Sequence, residues 1–355
     1  VALTAVYASG SPGNTYVPSF EASGKLAVEF SRNAKDFAIN KYVTIVKVDK
    51  STGLFLRITP ENAARLTNTN KSIWADGAAA YRYDQAGEDN QESFQFETYT
   101  TERRKWDFAL GQKAVEQADW DILALHAAMV AQQAMTARTY LGVTALTTSG
   151  NYAAAHTATA AVVAGGDLEG GSPTDPRLKK AINYVLKQIR KSTLGVVSGK
   201  DIQMVFGPDY ADAFSRSQEV HTYLKESPAA LAQVRGDVPA QNGQWGLPDM
   251  MYGVNFAIED AVRISTERGQ TATPDFVYNQ TLDSVAFASR PGSLVSKAGG
   301  PNFSTLQCFM YEEMTVESKS DPDNRRHLGR VVEDYGFVMV APLSGFLITS
   351  AVGSF

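Results

Sequence analysis

The sequence predicts an α+β fold, on three observations. The stretch from Pro301 to Phe355 is almost wholly β-rich, with runs at Phe303 to Tyr311, Gly329 to Val340 and Ser344 to Val352 around a charged turn at Lys319 to Arg326. Trp120 to Leu141 runs more than five turns without glycine or proline, which marks a long helix. Between them, short strands and helices alternate loosely rather than in strict βαβ units, which favours α+β over a doubly wound parallel sheet.

Residues 1 to 38 hold Gly10, Pro12, Gly13, Pro18 and Gly24 among the aromatics Tyr7, Tyr16, Phe20, Phe30 and Phe37. That mixture breaks regular structure yet is too aromatic for a solvated linker, so it reads as an extended arm lying on a neighbouring molecule. Tyr42 to Val48 and Leu54 to Ile58, around Asp49 to Gly53, read as a hairpin. Beyond Pro60 comes a polar excursion through Trp74, Tyr81 and Tyr83, with an acidic tip at Gly87 to Gln91. It returns through Phe94 to Tyr99, where Phe94 and Phe96 alternate with polar residues at period two. A pair of strands is marginally stable alone and needs a partner surface.

Asp119 is placed to cap the long helix and Gly142 to end it, with Ile122, Leu125, Met129 and Gln133 along one stripe. The Ala- and Gly-rich segment Ala153 to Gly171 reads as a loop or insertion. Thr174-Asp175-Pro176 then signals a cap with proline at the first helical position. In the helix that follows, Leu178, Ile182, Val185, Leu186 and Ile189 oppose Lys179, Lys180, Lys187 and Lys191, and Gly195 ends it. Ile202 to Phe206 reads as a buried strand, Gly207-Pro208-Asp209 as its turn into a helix, and Met250 to Ile258 and Asp283 to Ala288 as further strands.

At 355 residues, 44% hydrophobic and 20% charged, the chain can build one large or two ordinary domains. No window approaches the roughly 18 to 20 apolar residues of a membrane span, so no membrane partner is expected. The first residues lack the pattern of a signal peptide, and the closing strand is expected to pin the C-terminus into a sheet. A net charge of −5 argues against a protein whose task is gripping phosphate backbones. The single cysteine, Cys308, allows no internal disulfide and reads as a buried thiol.

No catalytic, cofactor or metal site is expected. Gly195 to Lys200 has the flavour of a phosphate loop but is one residue short, and Asp201 stands where a serine or threonine should hold magnesium. His126, His156, His221 and His327 share no ligand spacing. Glu312 and Glu313 are strand neighbours pointing to opposite faces, and Asp321 with Asp323 sits in a turn. Arg103-Arg104-Lys105-Trp106 has the residue types of a single-strand binder, but a subunit contact explains it as well.

The element order, and local phrases such as Val205-Phe206-Gly207-Pro208-Asp209-Tyr210-Ala211-Asp212-Ala213-Phe214, Asp283 to Ala288 and Gly345-Phe346-Leu347-Ile348, resemble the major capsid proteins of tailed bacteriophages, of the Hong Kong 97-like fold. The resemblance implies an N-terminal arm at 1 to 38 and an extended E-loop at 60 to 100. It implies a peripheral domain at 39 to 59 and 101 to 174, with spine helix 119 to 142 and β-strands from 301 to 340. An axial domain would take 175 to 300 with a closing strand at 341 to 355. Absence of a long charged helical segment at the start implies a separate scaffolding protein or a cleaved one.

On that resemblance the chain is a shell protomer of the virion, made in the host cytoplasm and assembling with itself into pentamers and hexamers. Its partners would be a scaffolding protein, a portal and, where the shell uses one, a decoration protein. It would enclose double-stranded DNA without sequence-specific binding. Tyr7, Tyr16, Phe20, Trp74, Tyr81, Tyr83, Phe94 and Phe96 are the expected subunit contacts, because one subunit cannot bury them. The alternatives are an encapsulin-like compartment shell, told apart by its contents, an acid/base hydrolase, told apart by a pocket of converging carboxylates, and a tail protein, told apart by trimeric or tubular symmetry.

Overall fold

The computed structural model describes residues 37–58, 94–117, 121–195, 197–266, 270–290 and 304–353. A single helical turn, α1 (Ile39–Tyr42), leads into β1 (Val43–Lys47), β2 (Thr52–Ile58), β3 (Phe94–Thr100) and β4 (Glu102–Gly111). The short α2 (Gln112–Glu116) precedes the long α3 (Ile122–Thr147). Then follow β5 (Thr157–Thr159), α4 (Ala160–Ala164), α5 (Arg177–Ser192), β6 (Ile202–Phe206), α6 (Pro208–Arg216), α7 (Gln218–Glu226) and α8 (Pro228–Arg235). The rest is β: β7 (Met250–Met251), β8 (Val254–Ile258), β9 (Val262–Ile264), β10 (Pro274–Phe276), β11 (Ser284–Ser289), β12 (Leu306–Asp321), β13 (Arg326–Met339) and β14 (Phe346–Thr349).

Two sheets organise these elements. The first runs β1-β12-β13-β4, with β1 parallel to β12 and the other pairs antiparallel. The second runs β5-β14-β11-β6-β8-β7 and mixes both senses, since β11 is antiparallel to β14 and β6 whereas β6 is parallel to β8. Antiparallel pairing at the centre of the sheet, on both sides of β11, fits α+β better than a doubly wound parallel sheet. β2 with β3, and β9 with β10, form separate two-stranded ribbons.

β12 and β13 form one long hairpin whose far half is solvated, and β12 carries register irregularities between Met310 and Thr315. The charged turn is shorter than the sequence suggests, because Lys319 to Asp321 and Arg326 belong to the strands. Helix α3 lies on this sheet against β13 and β4. Its described cap is Asp121, whose side chain accepts from the Ala124 amide at 2.9 Å, while Asp119 and Trp120 fall outside the described residues.

Gly142 does not end α3, which continues to Thr147. A Cβ at Gly142 would stand 2.8 Å from Ile39 Cδ1 and 3.4 Å from the Phe337 ring, so glycine is used for close approach rather than termination. The buried stripe also differs from the expected one. Ile122 of the expected stripe is buried, as are Met135, Thr139, Val143 and Leu146, whereas Met129 and Gln133 are exposed, because past its first residue α3 is covered mainly in its C-terminal half.

Three further expectations are corrected. Tyr42 to Ile58 is not a hairpin: β1 joins the first sheet beside β12, and β2 leaves it to pair with β3. The turn at Asp49 to Ser51 therefore acts as a corner between two sheets. The Ala-rich segment is not an insertion, since β5 pairs with β14 and Ala160, Val163, Ala164 and Leu168 are buried. Small side chains there let α4 sit close against α5. Met250 to Ile258 is two strands, because Tyr252 (φ 52) and Gly253 (φ 82) make a tight reversal with both central residues left-handed.

The cap of α5 is the clearest miss. Pro176 occupies the N-cap position and offers no side-chain bond. Instead the buried carboxylate of Glu219, from α7, accepts from the amides of Leu178 (3.0 Å) and Lys179 (2.9 Å). A distant acid thus satisfies the orphan donors and meets the positive end of the helix. Around it, Phe206, Phe214 and Phe256 pack edge to face, and Tyr210 meets Tyr278 in the same way, which fastens α6 to the second sheet.

Candidate subunit-contact surface

The β2–β3 ribbon has two unlike faces. Gly53 opposes Tyr99 and Phe55 opposes Glu97, so Phe55 and Tyr99 share one face. Their rings stack on Phe309 of β12, with centroids 5.9 Å and 4.4 Å away, and fix the ribbon's base to the first sheet. At Gly336 of β13 an added Cβ would come within 2.1 Å of the Thr100 carbonyl, so the close crossing of ribbon and sheet requires a bare backbone.

The other face is unsupported. Leu54 is 65% exposed and Phe96 is 66% exposed, diagonal neighbours across the ribbon. Covering two such side chains is worth about 1.5 to 3 kcal/mol each, a gain that one subunit leaves unrealised. Phe96 is thus where the sequence reading expected an uncovered aromatic, and Leu54 was missed because its run was read as half of a local hairpin. Phe94 lies on the same strand. Tyr7, Tyr16, Phe20, Trp74, Tyr81 and Tyr83 lie outside the described residues.

Further exposed apolar residues lie on β9, at Val262 and Ile264, and on α3, at Met129. The first sheet carries ion pairs at its surface: Lys47 with Glu313 (2.6 Å), Arg103 with Glu312 (2.9 Å), Lys105 with Asp107 (3.0 Å) and Arg326 with Asp321 (2.9 Å). Glu312 and Glu313 therefore serve cations on different strands rather than converging on a substrate. Exposed pairs of this sort contribute little to stability but discourage edge-to-edge sheet pairing.

Groups with chemical potential are sealed or spoken for. His156 is fully buried, its Nδ1 within 2.7 Å of the Gly345 carbonyl and its Nε2 2.8 Å from Ser192 Oγ. A carbonyl only accepts, so Nδ1 carries the proton and Nε2 receives the serine hydroxyl; burial lowers this imidazole's pKa. Burial pushes the Cys308 thiol up to about 12, so it stays protonated and inert. Ser198 and Asp201 cap one another's backbone in a tight turn, as a helix end rather than a phosphate loop.

Glu333 is a strongly perturbed carboxyl. It is fully buried on β13, opposite Arg104 of β4 and 3.6 Å from Arg138 of α3, and neither oxygen accepts a hydrogen bond among the described residues. Burial raises its pKa to about 7 against the pull of Arg138 and Arg104. It lies beneath α3, whose Arg138 is its ion-pair partner. In an open depression of about 460 Å³ lined by Val48, Asp49, Arg103, Tyr311 and Glu312, Arg103 and Glu312 are paired with each other. Among the described residues no cluster of three or more His, Cys, Asp or Glu could hold a metal ion, and no helix is long and apolar enough to cross a membrane.

No protein-family model and no curated protein matches this chain. Solved structures do. A phage-related protein from Bordetella bronchiseptica RB50 superposes with a TM-score of 0.59 at 14% identity, covering 90% of this chain and 94% of that one. The mature capsid of bacteriophage PhiM1 matches with a TM-score of 0.54 at 11% identity, over 98% of this chain and 96% of that one. The capsid of cyanophage P-SCSP1u matches with a TM-score of 0.58 at 8% identity, over 99% of both chains. The chain has the fold of phage capsid proteins. Its mixture of helices and sheets is α+β, as the sequence reading expected.

Proposed function

We propose that this chain is the major capsid protein of a tailed phage, and that it assembles with itself into the icosahedral shell enclosing a double-stranded DNA genome. The carrying observation is the likeness to phage capsids along essentially the whole length of both chains, with an apolar ribbon face left for a neighbour to cover. In this reading β2, β3 and residues 59–93 between them act as the E-loop. The first sheet with α3 forms the peripheral domain, and the second sheet with α5 to α8 forms the axial domain. The arm at 1 to 38 lies on an adjacent subunit, the capsomers are pentamers and hexamers, and scaffolding and portal proteins assist. The shell works without catalysis.

The physical basis is multiplicity. Each contact is individually modest, and closure of many copies around symmetry axes makes the particle stable. Substituting Leu54→Asp together with Phe96→Asp tests this, because both side chains are exposed within one subunit and the fold does not need them. Negative-stain microscopy should find at least tenfold fewer closed particles, with an unchanged far-UV circular dichroism spectrum. Normal particle yield would remove the ribbon face from the assembly account.

A further inference from the structure

Among the described residues, helix α5 is the one strongly cationic element of an acidic protein. Its 16 residues carry Arg177, Lys179, Lys180, Lys187, Arg190 and Lys191 and no aspartate or glutamate. Without those six cations the chain would fall from a net −5 to −11. The buried face, Leu178, Ala181, Ile182, Val185 and Ile189, is fixed on the core, so the charges from Lys179 to Lys191 are turned outward, while Arg177 is half-buried at the start of the helix.

The two ends of the helix differ. At the N-terminal end Asp175 accepts from Arg177 (3.0 Å) and Lys180 (2.6 Å), and Lys179 lies over the Tyr252 ring at 5.7 Å. At the other end Lys187, Arg190 and Lys191 are exposed, and no carboxylate among the described residues pairs with them. Lys200, also exposed, follows Gly199, whose added Cβ would stand 3.6 Å from Leu186 of α5. Favourable placement near the helix C-terminus accounts for one or two cations there, not for a continuous row.

We propose that the solvent face of α5 is the surface the shell turns toward its enclosed DNA duplex, touching phosphates without reading sequence; this rests on the shell function proposed above. Lys180 to Lys191 spans about 16 Å of helix. Over that length a duplex presents roughly ten phosphate charges. A shell that is acidic elsewhere repels DNA, and closest approach is least costly at an element that carries six cations and no acid. A second copy of the chain is the less suited occupant, because exposed carboxylates such as Glu313 and Glu317 are already held by cations of their own subunit. Three or four phosphate contacts per subunit give weak, salt-sensitive contact, which suits DNA that must be packed and released.

The test uses unassembled full-length protein, a fluorescein-labelled 30-base-pair duplex and anisotropy titrations from 25 to 200 mM NaCl, with microscopy of the same proteins for shell formation. The triple substitution Lys187→Gln, Arg190→Gln, Lys191→Gln should lower the salt slope of log K by about 2 to 3 and leave particles intact. Lys47→Gln with Arg330→Gln, which removes paired cations, should leave the slope within 0.5 of wild type. An unchanged slope in the triple variant would overturn the proposal. So would loss of particles with DNA affinity retained, which would make this face a subunit contact. Failure of the wild-type protein to form shells would instead count against the shell reading, and the slope would still decide the role of α5.

Discussion

Replacing Glu333 with glutamine separates two opposed contributions at one buried site. The carboxyl is fully buried between β13 and α3, with Arg138 at 3.6 Å and Arg104 across the sheet. If burial outweighs attraction to the two guanidinium groups, the pKa rises from 4.5 to about 7 on folding, as the geometry indicates. The folded protein then binds the proton more tightly than the unfolded chain. Stability from this group is complete below pH 4.5 and is lost as pH rises through about 7. The loss amounts to about 3 kcal/mol once the group is fully ionised.

Glu333→Gln should therefore be close to neutral at pH 5, where the native carboxyl is itself uncharged. It should be more stable than wild type by about 2 to 3 kcal/mol at pH 8.5. Urea unfolding of the unassembled protein followed by circular dichroism at pH 5, 7 and 8.5 reads the difference directly, and other titrating groups cancel between the two proteins. If the variant is instead destabilised by about 3 kcal/mol or more at pH 8.5, the ion pair with Arg138 dominates and the argument from burial is wrong.

Two other residues give equally direct tests. Glu219→Ala removes both acceptors at the start of α5 and should cost about 2 to 4 kcal/mol by urea unfolding, with Glu219→Gln recovering part of it through its one remaining oxygen. Cys308, buried and pushed up to about 12, should resist a disulfide reagent at pH 8 for hours in the native protein and react within seconds in 6 M guanidinium chloride.

Strong periodicity was legible in the sequence and long-range pairing was not. The apolar stripe of α5 and the runs in β6, β11, β12 and β13 announce themselves because burial on one face or both imposes a local pattern. Which strands pair is set by tertiary packing. β1 and β2 have the local chemistry of a hairpin, yet Val43 to Lys47 is held by β12 more than 250 positions later. The cap of α5 was hidden for the same reason, since the acid that supplies it stands on α7 and nothing near Pro176 signals it.

Gly142 misled for a different reason. A glycine at the end of a helical pattern usually stops it, and only the proximity of Ile39 and Phe337 reveals that this one admits a neighbour. Of the exposed apolar face of the ribbon, Phe96 was readable as an aromatic in a ribbon too thin to hide it. Leu54 became visible only once β2 was seen to pair with β3.

The central claim is that this polypeptide completes its burial only among copies of itself. Electron microscopy of the purified full-length chain, beside a variant lacking residues 74–92, tests it most directly. The account predicts closed shells built of fivefold and sixfold capsomers for the full chain and none for the shortened one. A monodisperse monomer from the full chain under every assembly condition, or shells of ordinary stability from the shortened one, would contradict it.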